Sequence, residues 1–323
     1  MSKPDLSIIV PIYNAEKELQ RCLDSLISQT FRNIEIVCVI DGSPDSSLEI
    51  CRRFEKIDPR IVIVSQDNKG PAGARNTGLL NAKGVYIQFC DPDDYYMPEM
   101  CGKLYNAITL SGADLAVAGI QVFYEQLSTF RSEREYFRIK CNGLINVNEV
   151  IFRNTDVSVC NKIFKKSIID TYRLEFFQSH NYEDACFFYK YLFVSKTIFY
   201  VSEYLYSYIR HDNSIMSNTF QKNSIALDHV KILEDIACFM NNYNLKGRYE
   251  TDIFLWIIIT SVHFAIIYGI ESIYESIAKI VSPLLAHIHD EIILSCPYIS
   301  KIDANKLIAL KRNNIKLFFE VED

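Results

Sequence analysis

Three carboxylates, Asp91, Asp93 and Asp94, fall within four residues of the stretch YIQFCDPDDYYMPE, directly behind an apolar run. Like charges so close are unfavourable unless a cation sits among them or water surrounds them. The cluster is therefore either a metal site or a solvated Asp-Pro turn capping a helix near Pro98. Residues two apart in an extended chain project to one side, about 6.5–7 Å apart, so Asp91 and Asp93 can face one ion. Two hard oxygen donors without a cage of six suit Mg²⁺ or Mn²⁺, whose remaining shell comes from water and substrate phosphates. Asp94 is expected to serve the turn alone.

Three more segments carry residues with chemistry. GPAGARNTGLLNAKG, residues 70–84, opens a helix with glycines and Arg75. Its backbone N–H groups can meet an anion, and Arg75 can make a fork to phosphate or base; otherwise the glycines only turn the chain and Arg75 pairs at the surface. NYEDACFFYKYLF puts Glu183 and Asp184 at the head of an apolar helix, where acids either do chemistry or complement the helix dipole. YSYIRHDNSIMS ends an aromatic strand in Arg210, His211 and Ser214. No G-x-G-x-x-G follows the first apolar run and no G-K-[ST] occurs, which excludes the dinucleotide fingerprint and the phosphate loop.

These residues need elements that gather them. Over the first 120 residues or so, β-branched apolar runs (LSIIVPI, IEIVCVI, RIVIVS, VYIQFC, ADLAVAGI) alternate with segments whose apolar residues recur at three and four, such as Leu19, Cys22, Leu23, Leu26 and Ile27. Strands apolar on both faces and joined by helices imply a parallel sheet covered on both sides. Right-handed crossovers then bring every strand's C-terminal end to one edge, where open α/β sheets bind ligands. Behind the runs stand Pro11, Tyr13 and Asn14; Asp41, Gly42 and Ser43; Asp67 and Asn68; and the carboxylate cluster. From about 121 to 222 aromatic strands around one helix suggest an antiparallel extension, and after that the chain reads as helices. The expected organisation is a Rossmann-like α/β catalytic domain over 1–222 and a helical region over 223–323.

Composition narrows the partners. With 323 residues, 49% apolar and 23% charged, the chain can bury a large core, and a net charge of −6 argues against nucleic acid. Ten cysteines lie singly, without C-x-x-C or a His/Cys cluster, as reduced thiols do. With no secretory pattern in MSKPDLSIIVPIYN, the expected setting is cytoplasmic. The run IFLWIIITSVHFAIIYGI, residues 253–270, is about as apolar as a short spanning helix, but marginal length and missing basic flanks favour a core helix over membrane contact.

Taken together, SIIVPIYNAEKELQRCLDSLISQTFRNIEIVCVIDGSPDSS, GPAGARNTGL, DPDD, NYED and RHDNSI resemble, in order over about residues 5–220, the family-2 inverting glycosyltransferases of the GT-A fold. The resemblance implies a UDP-sugar donor, with Pro11, Tyr13 and Asp41 forming the uridine pocket and Arg75 meeting base or diphosphate. Asp91 would lie at ribose and metal, Asp93 would ligate Mn²⁺ or Mg²⁺, and Asp184 would be the general base. His211 and Ser214 resemble the element that closes on the diphosphate, with Arg210 and Lys162 as weaker candidates. The implied acceptor is a glycan or lipid-linked saccharide, as in capsule, lipopolysaccharide and teichoic-acid assembly, which makes the C-terminal helices candidates for peripheral membrane contact or a homo-oligomer interface. One departure is Ile40-Asp41-Gly42-Ser43 where the family usually writes Asp-Asp-Gly-Ser. Two competing readings remain: a non-catalytic GT-A-like scaffold, for which Ile40 speaks, and a sugar nucleotidylyltransferase. The latter generally has a glycine-rich basic loop where PIYNAEKE stands.

Overall fold

A computed structural model describes residues 3–124, 135–136, 141–178, 181–210, 223–268, 274–314 and 317–318. Contacts divide the chain into two compact units. The first takes Met1–Gln178 and Val194–Asp212, the second Ser179–Phe193 and Asn213–Asp323.

The first unit begins with β1 (Leu6–Ile12), α1 (Leu19–Ile27), β2 (Ile34–Asp41), α2 (Ser47–Ile57), β3 (Ile61–Gln66), α3 (Gly70–Asn81) and β4 (Tyr86–Phe89). β3, β2, β1 and β4 lie side by side, all parallel, with every residue of β1 and β2 buried. That burial on both faces is why the two strands read as nearly continuous apolar runs, interrupted by Ser7 and Glu35, which bond to each other at 2.6 Å. α3 lies close on the sheet because residue 78 is glycine: a Cβ there would stand 2.2 Å from Ile9 Cγ2.

Beyond β4 the sheet is mixed. It continues through β5 (Tyr95–Tyr96), α4 (Met100–Ser111), β6 (Leu115–Tyr124), β7 (Glu135–Tyr136), β8 (Gly143–Asn146), α5 (Glu149–Asn154), β9 (Lys162–Lys165), α6 (Lys166–Thr171) and the long β10 (Thr197–Arg210). Among the described residues the strand order is β3-β2-β1-β4-β9-β6-β10-β5, with β7 on β6 and β8 on β10. The extension expected to be antiparallel is so only in part. β9 runs antiparallel between β4 and β6, whereas β10 pairs parallel with β6 across a bulge near Tyr204.

The second unit holds α7 (Glu183–Phe193), α8 (Asn223–Asn242), α9 (Arg248–Tyr268), α10 (Tyr274–Leu285), α11 (Asp290–Leu294) and α12 (Lys301–Lys311). α7, which the sequence groups with the catalytic domain, thus clusters with the C-terminal helices. α9 is the described helix long and apolar enough to cross a membrane, with mean hydropathy 1.3 over residues 248–266. It buries Ile253, Leu255, Ile258, Val262 and Ala265 within its unit. At about 1.5–3 kcal/mol per buried aliphatic side chain, that face contributes to the core whatever else the helix meets.

Candidate active site

The parallel strands deliver their loops to one rim. After β1 the chain turns at Asn14, which has φ +52° and donates its backbone N–H to Ser43 Oγ (2.7 Å) in the loop after β2. Glu16 N–H binds Asp45 Oδ2 at 2.9 Å, and Ser46 N–H returns a bond to Glu16 Oε2 at 3.0 Å. Two strand-end loops are thereby stitched into one wall. Pro11 is buried where β4, which pairs β1 only over Leu6–Ile9, has already left. Tyr13 is 52% exposed, so its ring offers a face to a planar ligand.

Asp41 ends β2 with 1% exposure. Its Oδ1 accepts from Gln66 Nε2 (2.6 Å) and from Lys69 N–H (2.8 Å), while Gln66 Oε1 accepts from Thr77 Oγ1 (2.5 Å). Gly42, at φ +65°, permits this approach, since a Cβ would stand 2.8 Å from Asn68 N. Ile40 pairs with Ile12 and Ser65 in the sheet and is buried, so the side chain standing in for the family's first Asp is a core residue. Gln66 and Thr77 escaped sequence reasoning. Their only signal is polarity, at the end of an apolar run for Gln66 and two turns inside a glycine-rich helix for Thr77.

The carboxylate cluster is solved one group at a time. Arg75, 4% exposed on α3, donates Nη2–H to Asp91 Oδ1 at 2.8 Å and lies 5.5 Å over the Phe176 ring. Arg21, on α1, donates Nη2–H to the Asp93 carbonyl at 2.7 Å and sits 5.7 Å over the Tyr95 ring. Asp94 does not cap a solvated turn, contrary to expectation. It is buried, with its carboxyl accepting from the Tyr206 hydroxyl and from Ile209 N–H (2.7 Å), both on β10. Burial, then the neighbouring Asp93 and Asp91, push its pKa well above the carboxylate range. Burial and the same three acids raise Tyr208 to about 12. One acid is thus locked into the sheet, one is ion-paired but 32% exposed at its side chain, and one has its backbone anchored.

Asp91 and Asp93 are what this turn offers a cation. Among the described residues no group of three or more His, Cys, Asp or Glu side chains forms a metal cage. The set fits a divalent ion that takes most of its shell from water and phosphate, and not a protein-enclosed one.

Asp184 stands in the first turn of α7, in the second unit. His211 and Ser214 lie outside the described residues. Arg210 donates Nη1–H to the Tyr124 hydroxyl at 3.4 Å. Lys162 is fully buried, with its ammonium on Ser158 O (2.5 Å), Asn161 Oδ1 (2.8 Å) and Asp156 Oδ2 (3.4 Å), contacts that tie that loop.

Known proteins are similar to this chain in sequence or in fold. Glycosyltransferase GlyA of Streptococcus pneumoniae is 35% identical over 216 residues, 63% of this chain and 30% of that protein, so the chain spans under a third of that relative. Glycosyltransferase GlyG of the same organism is 31% identical over 229 residues, covering 67% of this chain and 74% of the relative. Among solved structures, S. aureus TarS 1-349 in complex with UDP superposes with a TM-score of 0.78 over 98% of this chain and 90% of that one, at 18% identity; a UDP-GlcNAc complex of the same protein gives 0.77. At that identity the likeness shows the fold alone, GT-A. Residues 7–173 match the sequence model described as Glycosyl transferase family 2, and the chain belongs to that family of glycosyltransferases.

Proposed function

We propose that this glycosyltransferase moves a hexose or N-acetylhexosamine from a UDP-sugar to a hydroxyl of a glycan or lipid-linked acceptor, with inversion at the anomeric carbon. The observation carrying the donor half is one rim that joins exposed Tyr13, buried Asp41 and the Arg75–Asp91 pair beside Asp93. Tyr13 would stack on uracil, Asp41 would accept from its N3–H, and Arg75 would meet the base or diphosphate. That TarS has been solved with UDP and UDP-GlcNAc supports a uridine donor.

Asp91 and Asp93 would hold Mn²⁺ or Mg²⁺, which when bound supplies Lewis-acid neutralisation of the leaving diphosphate. The chain's own acids and bases do the rest. An acceptor hydroxyl turns acidic only as it attacks, and Asp184 would take that proton opposite the departing UDP. A positioned base of this kind contributes about 10²–10⁴-fold. One displacement from the far face inverts the centre.

The test is incubation with Mn²⁺ and a panel of UDP-sugars, following UDP release, alongside calorimetry of UDP with and without metal. Turnover of a UDP-sugar and metal-linked UDP binding are expected. A folded protein that binds no nucleotide sugar refutes the reading, and UDP binding without turnover or metal dependence points to a scaffold.

A further inference from the structure

Asp184 follows a backbone conformation that L side chains avoid. Tyr182, just before α7, has φ +65°, the left-handed region, where a bulky residue persists only when its surroundings hold it. Two rings from the C-terminal helices meet it. His229 of α8 lies edge-to-face with Tyr182 at 4.4 Å, Phe264 of α9 does the same at 5.3 Å, and His229 and Phe264 stack on each other at 4.6 Å. His229 is half-buried, and its Nδ1 is sealed from solvent with no hydrogen-bond partner among the described residues, so this ring serves as a packing plate.

Polar ties place the rest of α7 on α8 in the same register. Asn181 Nδ2–H binds Asp228 Oδ2 at 3.1 Å, one residue before each ring partner. Lys190 Nζ meets Asp235 Oδ2 at 2.5 Å, and Cys186 Sγ lies 3.2 Å from the same oxygen. Cys186 N–H closes the first turn on Tyr182 O at 3.2 Å, which makes the left-handed residue part of the helix start. The start of α7, on which Asp184 stands, is therefore fixed on α8 by the ring cluster and these polar ties.

We propose that Tyr182, His229 and Phe264 are positioning residues for Asp184, and that the C-terminal helices aim the reaction's base through them. This rests on the assignment of Asp184 as that base. Displacing a reacting group by about 1 Å costs about 10²-fold in rate, so the effect belongs in kcat and leaves donor binding alone.

The test uses the full chain with four variants. Tyr182→Gly removes the ring while accepting φ +65° freely, so the fold is kept. His229→Ala removes the plate, His229→Phe retains it, and Asp184→Asn is the control. We expect Tyr182→Gly and His229→Ala to lower kcat about 10- to 100-fold with KM for the UDP-sugar within about twofold. Amide exchange over residues 183–187 should rise at least about tenfold. His229→Phe should restore both. Unchanged exchange at 183–187, kcat and UDP affinity falling together, or a His229→Phe variant as slow as His229→Ala would each overturn the proposal. An active Asp184→Asn would instead remove the base assignment and leave the exchange result standing.

Discussion

The turn after β4 and the entry to α7 are held by different means. Around β4, charge and hydrogen bonds do the holding: Arg75 pairs with Asp91, Arg21 grips the Asp93 carbonyl, and Tyr206 with Ile209 N–H encloses Asp94. Before α7, rings join a polar tie: Tyr182 is wedged against His229 and Phe264, beside the Asn181–Asp228 bond. The difference suits the tasks. Under the proposed assignment, the rim that would receive a diphosphate offers fixed cations and dipoles that answer charge, whereas Asp184, as the proposed base, would need above all a fixed direction.

The contrast breaks most visibly at the base. Asp184→Asn keeps the size and loses the proton acceptor, so transfer should fall by about 10²–10⁴-fold while UDP affinity by calorimetry stays within about twofold of wild type. Equal loss of both would assign Asp184 to folding or donor binding. Next in size is Asp94→Ala, which leaves the Tyr206 hydroxyl and Ile209 N–H buried without their acceptor. Each orphaned donor costs about 1–3 kcal/mol, so urea unfolding should show a loss of about 3 kcal/mol. Asp94→Asn, which retains one acceptor oxygen, should lose about half as much. A full-stability Asp94→Ala would mean the strand tie is incidental.

How much of this the sequence discloses follows the same divide. β1 and β2 are flanked on both sides by other strands and covered by helices, so their runs announce a parallel sheet without any partner being known. β9 is four residues, KIFK, set between strands that lie far away in the chain, and nothing local marks it as central. Asp91 and Asp93 stand out in the sequence because their spacing is local, but the chain there is a turn closed by Asp94 N–H on Asp91 O at 3.1 Å, not the extended strand end that alternation presumes. Asp94 was expected to cap a turn because its partners sit more than 100 residues downstream on β10. The ring cluster before α7 is hidden for the same reason: a lone His229 in an amphipathic helix gives no sign that it packs on a tyrosine 47 residues earlier.

A pH series sharpens the comparison on the helical side. Burial lowers the His229 pKa from 6.5 to about 4. The folded ring therefore binds its proton less readily than the unfolded one, and the sign follows. Above about 6.5 both states are neutral; as pH falls toward about 4, the unfolded chain takes up a proton that the folded one refuses, and stability is lost across that window. A displacement of this size amounts to about 3 kcal/mol, and the ring's remaining exposure reduces it to about 2 kcal/mol. Urea midpoints between pH 7 and pH 4 should flatten in His229→Phe relative to wild type. Identical slopes would show that His229 titrates as it does in water.

The smallest effect is expected on the sheet side, at Arg75→Lys. Lysine keeps the charge beside Asp91 but loses the flat guanidinium that reaches Asp91 Oδ1 at 2.8 Å while covering the Phe176 ring at 5.5 Å. An ammonium is a point charge on a flexible stem, so the ion pair survives with a poorer fix on direction. Donor KM should rise about 3- to 10-fold, close to 1 kcal/mol, with kcat within about twofold and UDP affinity by calorimetry falling in step with KM. The division of labour forbids the reverse pattern. If Arg75→Lys lowers kcat while leaving KM untouched, as Tyr182→Gly is expected to do, then the charge-held rim also directs the transfer step, and the separation of donor grip from base aim is wrong.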